Sequence, residues 1–187
     1  MIKFFFISFL RIILWGCAVC CIGFALLLFI SPGLALWQVS FATIGVLTII
    51  GLRKTLALRK SKNDKFIKHF YCDIFQPQNN FTMKRLDIGH YLGIDTDTGN
   101  ILMISRLEKI FKGDNCINLM GYRRNGSVLT LKFSNLTFPF FKAYFGSELE
   151  CTEYCHRLDV LLSAQYRPTK ESNIDFDTFV KNKLQTA

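Results

Sequence analysis

The sequence predicts an α+β protein: an N-terminal transmembrane helical hairpin, followed by a small β-barrel or sandwich that a C-terminal amphipathic helix closes. Two uncharged apolar runs of 19 residues each predict the hairpin. Short extended runs separated by glycine-bearing turns predict the β domain, and a helix-start signal before an amphipathic stretch predicts the closing helix. The predicted segments are the hairpin at 1–52, a basic juxtamembrane linker with an amphipathic helix at 53–80, the β domain at 81–168 and a tail at 169–187.

The hairpin is predicted from residues 12–30 and 34–52, which contain no charged residue. At a rise of 1.5 Å per residue, each run forms a helix of roughly 28 Å, close to the hydrocarbon thickness of a bilayer. Only Ser31, Pro32 and Gly33 stand between the runs, and these residue types favour a tight chain reversal. A cleaved signal peptide is the alternative, but it would have a shorter apolar core and no second apolar run directly after it.

The distribution of charge predicts the orientation of the hairpin. Lys3 and Arg11 precede the first apolar run, a basic cluster follows the second, and the turn between the runs is neutral. By the positive-inside rule both termini are then cytoplasmic, and we expect the protein in a bacterial inner membrane. The basic cluster, which is expected to lie at the membrane surface, consists of Arg53, Lys54, Arg59, Lys60, Lys62, Lys65 and Lys68.

The rest of the chain is nearly neutral. All 14 acidic residues lie from Asp64 onward, and from residue 69 onward 14 basic residues accompany 13 acidic ones. Because the excess positive charge belongs to the membrane border, the sequence predicts no direct nucleic-acid binding.

Helical and extended patterns alternate after the basic cluster. Residues 64–75 carry apolar side chains on one helical face, which predicts a helix that lies on the membrane surface or packs on the domain. Residues 91–105 predict a β-hairpin with its turn at 95–100. A third strand is predicted at 107–111, with a turn at 112–115.

Two further strands and an aromatic run follow. Residues 116–122 and 127–133 flank an Asn125-Gly126 step, which is a strong hairpin signal because both residues tolerate positive φ. The aromatic run at 138–145 is interpreted as a last strand and its corner, which fill the barrel. The alternative is an exposed rim that binds a partner or the bilayer. Its residues are Phe138, Phe140, Phe141, Tyr144 and Phe145.

A closing helix is predicted after residue 147. Ser147 and Glu150 form the S-x-x-E pattern of a capping box, and the helix is expected to run to about residue 165, before Pro168. The tail from Ser172 also has helical spacing, and it is either a docked helix or a peptide that a partner recognises. The apolar face of the closing helix consists of Cys151, Tyr154, Cys155, Leu158, Leu161 and Leu162.

The sequence predicts no catalytic residue, no cofactor site and no metal site. A calcium loop starting at Asp95 would need glutamate at its twelfth position, where Arg106 stands, so a hairpin turn with Gly99 at positive φ is preferred. The cysteine pair of the closing helix has no second ligand pair at zinc-site spacing, so buried reduced thiols are expected.

The order of elements over residues 86–166, successive strands and then one helix, resembles that of bacterial pleckstrin-homology-like domains, which often stand beside transmembrane hairpins. This resemblance implies a domain that presents binding surfaces. The hairpin, the basic junction and the motif YLGIDTDTGNILMIS are also similar to inner-membrane exclusion proteins of I-type conjugative plasmids. That second resemblance implies a protein of the recipient cell that blocks redundant DNA entry by contacting the transfer apparatus, and it carries over no catalytic or binding residue.

We therefore expect a non-enzymatic membrane protein whose cytoplasmic domain contacts other molecules. The alternatives are an anionic-lipid-binding adaptor, in which lysines of the basic cluster and the domain rim contact headgroups, and an enzyme, which would require a cleft with converging polar residues. The expected partners are membrane lipid, a protein in a membrane complex, and a second copy of the chain through the transmembrane hairpin.

Overall fold

The structure is a computed structural model that describes residues 2–28, 35–163, 165–170 and 175–186. The chain divides into two units, Met1–Arg59 and Lys60–Ala187. The described residues form four α-helices and seven β-strands in two antiparallel sheets, which confirms the α+β class. The predicted turn at Ser31, Pro32 and Gly33 lies outside the described residues.

The first unit contains α1 (Ile2–Leu28) and the first part of α2 (Ala35–Lys68). Ala18 is almost fully buried, and a Cβ added at Gly45 would lie 3.4 Å from the Ala18 carbonyl oxygen. Small residues of this kind let two helix backbones approach closely, as helices do within lipid. Many larger apolar side chains point outward, among them Ile12, Val19, Leu26, Val39 and Leu47.

Only part of the predicted membrane anchor can be read from the described residues. Among them one helix, Val39–Lys68, is long and apolar enough to cross a membrane, and Ile12–Leu26 is a shorter apolar helix. The structure is therefore compatible with one membrane span in α2. The second span of the hairpin and the cytoplasmic location of both termini stay predictions.

α2 continues without a break through the basic cluster and ends at Lys68. The helix predicted over 64–75 therefore has the wrong start and the wrong end: residues 64–68 belong to α2, and residues 69–75 are not helical. The chain leaves the helix because Ile67, Phe70 and Phe75 enter one buried cluster. A backbone bridge at Phe75 closes the turn that brings these side chains together.

The first sheet is an antiparallel meander, and the predicted hairpin at 91–105 is confirmed as its central pair. In the turn of this hairpin, Asp95 Oδ1 accepts hydrogen bonds from the amides of Asp97 at 2.9 Å and Thr98 at 3.4 Å. Gly99 has a φ of +74°, as the turn interpretation requires. The strands are β1 (Thr82–Arg85), β2 (His90–Ile94), β3 (Asn100–Ser105) and β4 (Ile110–Asn115).

The structure places β4 later in the chain than the strand predicted at 107–111, and residues 106–109 form the turn instead. The turn predicted at 112–115 lies within the strand. Gly113 has a packing role there, since a Cβ at this position would lie only 2.7 Å from the Phe176 backbone oxygen. A glycine needed for close backbone approach therefore resembled a turn glycine in the sequence.

The second sheet has three strands, and the hairpin predicted from the Asn125-Gly126 step is confirmed. Its turn lies one residue later than predicted, at Gly126 and Ser127, because Asn125 still pairs with Val128 as the last residue of its strand. Gly126 has a φ of +58°. Residues 116–118 form a 3₁₀ turn, where the sequence predicted the start of a strand. The two sheets do not join, so the described strands do not close into the predicted barrel. The strands are β5 (Leu119–Asn125), β6 (Val128–Phe133) and β7 (Phe140–Tyr144).

The two central strands of the first sheet are buried on both faces. One face packs against the second sheet and α3 (Glu148–Leu161), and the other packs against the end of α2 and against α4 (Phe176–Gln185). Strands covered on both sides lose the alternation of apolar and polar residues. Leu92, Ile94, Ile101 and Met103 face the first layer, and Tyr91, Leu102 and Ile104 face the second.

α3 is the predicted closing helix. The Ser147 hydroxyl accepts a hydrogen bond from the Glu150 amide at 3.2 Å, which confirms this half of the capping box. The Glu150 carboxylate accepts from the Gly146 amide at 3.0 Å, one residue earlier than the pattern predicts. The helix ends at Leu161, short of residue 165, and its buried residues are Cys151, Tyr154, Cys155, Leu158 and Leu161.

Candidate interaction site

The tail forms a docked helix, one of the two alternatives that the sequence left open. α4 packs on the first sheet beside β4, with Phe176 and Val180 buried. The ring of Phe176 lies 5.0 Å from the ring of Phe75. Asp175 caps the start of α4 by accepting a hydrogen bond from the Asp177 amide at 3.1 Å.

A group of polar contacts fixes α4 to β4. The Lys112 ammonium donates to Asp177 Oδ2 at 2.7 Å, Lys181 lies 2.8 Å from the same oxygen, and the Gly113 amide donates to Oδ1 at 3.3 Å. Burial raises the pKa of Asp177, but the hydrogen bonds from the two lysines outweigh burial, so the net pKa lies below its ordinary value. Asp177 is therefore ionised at neutral pH, with its charge matched by the two lysines.

A cavity of about 390 Å³ opens beside the start of α4. Its walls are polar and hold three carboxylates and four side-chain amides against one lysine, so the cavity favours positively charged groups. Its lining residues include Asp114, Asp175, Asp177, Lys112, Asn118 and Asn135.

Asp114 is the unusual residue of this cavity, because it is only 8% exposed. Its Oδ1 accepts hydrogen bonds from the Asn115 amide at 2.8 Å and from Asn118 Nδ2 at 2.7 Å. Its Oδ2 is buried and accepts no hydrogen bond from any described residue. A buried polar atom without a partner costs roughly 1–3 kcal/mol, more if it is charged, so this oxygen is a local source of instability.

Three exposed apolar side chains close in sequence or strand pairing to the cavity residues form what we call the apolar rim: Ile117, Met120 and Leu136. These side chains are 83%, 73% and 95% exposed. Asn118 and Asn135, which line the cavity, are the chain neighbours of Ile117 and Leu136. The Ser134 amide donates to the Asn118 carbonyl at 2.9 Å, so these two segments lie side by side at the cavity wall. Large apolar side chains grouped on a surface are typical of contact sites.

The rim and the entry of the chain into the domain lie at opposite ends of the first sheet. Asn63 donates to the Leu86 carbonyl at 2.6 Å and accepts from Arg106 at 2.7 Å, so α2 meets the sheet at the turns that precede β2 and β4. The rim begins just after the other end of β4. Strands of this length separate the two ends by roughly 17–20 Å.

The structure divides the aromatic run between core and surface. Phe141 and Phe145 are buried, and Phe138 and Tyr144 are partly buried, as the strand interpretation expects. Phe140 is 57% exposed on the outer face of β7. Of the five residues proposed from the sequence as a partner surface, Phe140 is the one that a partner can contact over most of its side chain.

The basic cluster is largely solvent-exposed. Arg59 is half-buried, and Lys68 forms an ion pair with Asp64 at 2.7 Å, one turn away on α2. Pairs of this exposed kind contribute little to stability. The exposed residues of the cluster are Arg53, Lys54, Lys60, Lys62, Lys65 and Lys68.

The two cysteines of the closing helix and His90 have structural surroundings. Cys151 and Cys155 are buried free thiols, as expected, and burial raises the pKa of Cys155 to about 11. A thiol with so high a pKa is protonated at neutral pH and is a weak nucleophile. His90, which is also buried, donates from Nε2 to the Lys142 carbonyl at 2.8 Å and so ties the first sheet to the second. Among the described residues, no three His, Cys, Asp or Glu side chains stand together as a metal site.

No family model, no curated protein and no solved structure matches this chain.

The cavity and the apolar rim were not predicted from the sequence. Ile117 and Met120 resembled strand residues there, and no local pattern shows that they are exposed. The nearest sequence signal is the density of asparagines around them, since asparagine is frequent in turns.

Proposed function

We propose that the protein is a non-enzymatic membrane protein that presents an interaction domain on the cytoplasmic face of a bacterial inner membrane. The apolar rim carries this proposal, because its three side chains are the most exposed of the large apolar side chains described in the second unit. A helix long and apolar enough to span a membrane leads into this unit. A membrane-attached domain with a grouped apolar surface suits the binding of a protein partner.

The order of elements supports a pleckstrin-homology-like domain. A four-stranded sheet is followed by a three-stranded sheet and then by one long helix. The residues of the larger core come from both sheets and from α3, so the two sheets face each other across one core that this helix covers. The function of such a domain is argued from its surface, since many functions share one fold.

The specific role that we propose is exclusion of redundant conjugative DNA entry, and it is supported by the resemblance of the hairpin, the basic junction and residues 91–105. The test is the transfer frequency of an I-type plasmid into recipient cells that make the full chain. We expect transfer to fall at least tenfold, with no effect on an unrelated plasmid. Normal acquisition of every plasmid tried would contradict this role.

Variants of the rim link this activity to a protein partner. Ile117→Ser with Leu136→Ser removes two exposed apolar side chains, and the matched control, Leu149→Ser with Val160→Ser, removes two exposed apolar side chains of α3. Crosslinking in recipient cells should recover a partner with the wild-type chain and the control, and lose it with the rim variant. Equal recovery with all three chains would contradict a binding role for the rim.

A second candidate function is binding of anionic lipid, favoured by the exposure of six residues of the basic cluster. Each basic residue near an anionic surface contributes roughly 1 kcal/mol, and salt screens this attraction. The full chain in nanodiscs with anionic lipid should protect residues 60–68 from hydrogen exchange at low salt and lose the protection at high salt. Protection that is unchanged in Lys60→Gln with Lys62→Gln and Lys65→Gln would contradict lipid binding here.

A further inference from the structure

We propose that the polar cavity binds a cationic side chain, arginine or lysine, of a protein partner whose neighbouring apolar side chains contact the apolar rim. The inference rests on the proposed function, because it names the chemistry of the segment that this domain recognises. It is carried by Asp114, by the composition of the cavity wall and by the position of the rim.

Asp114 supplies the charge that the ligand matches. Both donors on its Oδ1 are amide groups, and no described cation pairs with it. Its Oδ2 accepts no hydrogen bond from the described residues although the side chain is more than nine-tenths buried. A cation in the cavity would neutralise this carboxylate, and hydrogen bonds to ionised groups are about twice as strong as those between neutral groups.

The other two carboxylates of the cavity already have partners. Asp177 accepts from Lys112 and lies against Lys181, and Asp175 accepts from the Asp177 amide and from the Thr178 hydroxyl. Calcium, which takes six to eight oxygen ligands, would have to remove these contacts from α4. A cationic side chain needs a single carboxylate and nearby acceptor oxygens, so the oxygen atoms of this cavity suit an organic cation better than a metal ion.

The cavity has room for such a side chain. Its volume of about 390 Å³ lies within the range of small-ligand sites, roughly 300–1,000 Å³. Arginine is charged at every physiological pH and carries five N–H donors in a planar fork. The carboxylate and amide oxygens of the wall are acceptors for these donors.

The rim favours a partner segment as the source of the cation over a free amine. Ile117 precedes the cavity residue Asn118 and Leu136 follows the cavity residue Asn135, so exposed apolar side chains stand next to the wall of a negatively charged cavity. A free amine would leave this apolar surface exposed. A segment with leucine on either side of an arginine would place its cation in the cavity and cover the rim.

The test is calorimetric titration of the full chain in detergent micelles with two ligands whose α-amino groups are acetylated, acetyl-arginine amide (arginine amide) and acetyl-citrulline amide (citrulline amide). The citrulline side chain has nearly the same shape as the arginine side chain but carries no charge. We expect arginine amide to bind at least tenfold more tightly than citrulline amide. Asp114→Asn should reduce arginine amide binding at least tenfold, and circular dichroism checks that this variant folds. If it does not fold, the comparison of the two amides on the wild-type chain decides the question.

The contribution of the rim is measured with the peptide acetyl-Leu-Arg-Leu-amide. We expect it to bind at least fivefold more tightly than arginine amide, with the gain lost in Leu136→Ser and kept in the control Leu149→Ser. Equal binding of the two amides, saturable calcium binding that displaces arginine amide, or a peptide no tighter than arginine amide would each overturn the inference. If arginine amide does not bind but the rim variant still loses the crosslinked partner, the inference fails and the proposed function stands.

Discussion

Replacing Phe176 with alanine tests whether α4 is an integral part of the domain. The side chain is 4% exposed, and its ring lies 5.0 Å from the ring of Phe75 and 5.9 Å from that of Phe179. Removing a phenylalanine from a core costs about 3–5 kcal/mol. An isolated helix of ten residues is marginal in water, so this cost is expected to release α4 from β4 and to unfold it locally.

Hydrogen exchange of the full chain in detergent micelles measures the effect directly. Phe176→Ala should lower the amide protection factors of residues 176–185 at least a hundredfold, because the free energy of local opening falls by the packing free energy that the substitution removes. The matched control is Phe140→Ala, the same substitution at a side chain that is 57% exposed, which should change protection little. If α4 keeps its protection in Phe176→Ala, the packing argument for the docked tail is refuted.

Three further predictions concern the packing of α4 and the joint between the two sheets. Gly113→Ala should lower the free energy of unfolding by about 1–3 kcal/mol, since its Cβ would overpack against the Phe176 backbone; an unchanged denaturant midpoint would contradict this. The pKa of Asp177 is lowered in the folded state, so the stability that its ionised carboxylate contributes is fully present above pH 3.8 and is lost as the pH falls through the folded-state pKa. The amide protection of α4 should decrease over this acidic range, and Asp177→Asn should remove that pH dependence. Burial lowers the pKa of His90, so the unfolded chain binds the extra proton and stability should fall as the pH drops below 6.5; an NMR titration that places the pKa of His90 at or above 6.5 would contradict this.

The parts of the fold that were predicted correctly depend on local chemistry. Asp95 and Gly99 specify their turn through side-chain hydrogen bonds and positive φ. Gly126 supplies the positive φ of the second hairpin turn, and Ser147 starts α3 through its own hydroxyl. Each signal lies within a few residues of the structure it produces, so a single sequence is enough to identify it.

The errors arise from contacts between residues far apart in the chain. The residues after Lys68 leave the helix because Phe70 and Phe75 join a cluster that also contains Phe176, about a hundred residues later. The β4 strand was misplaced because Gly113 serves that same distant segment. Docking of the tail and burial of the central strands on both faces are two consequences of one long-range contact.

The candidate site was missed for a related reason. Met120 lies at a bulge, where the register between β5 and β6 shifts between Leu119 and Gly121. A bulge breaks the alternation of inward and outward side chains, so periodicity cannot show that Met120 is exposed. The unpaired oxygen of Asp114 depends on which groups surround it in three dimensions, and no sequence pattern reports that.

The central claim is that a membrane-anchored chain holds its second unit in the cytoplasm, and paired reporters fused after Ala187 test it most directly. A fluorescent protein folds only on the cytoplasmic side of the bacterial inner membrane, and alkaline phosphatase is active only on the outer side. We predict fluorescence in the membrane fraction and no phosphatase activity from the matched fusion. An active phosphatase fusion with a dark fluorescent fusion would contradict the account.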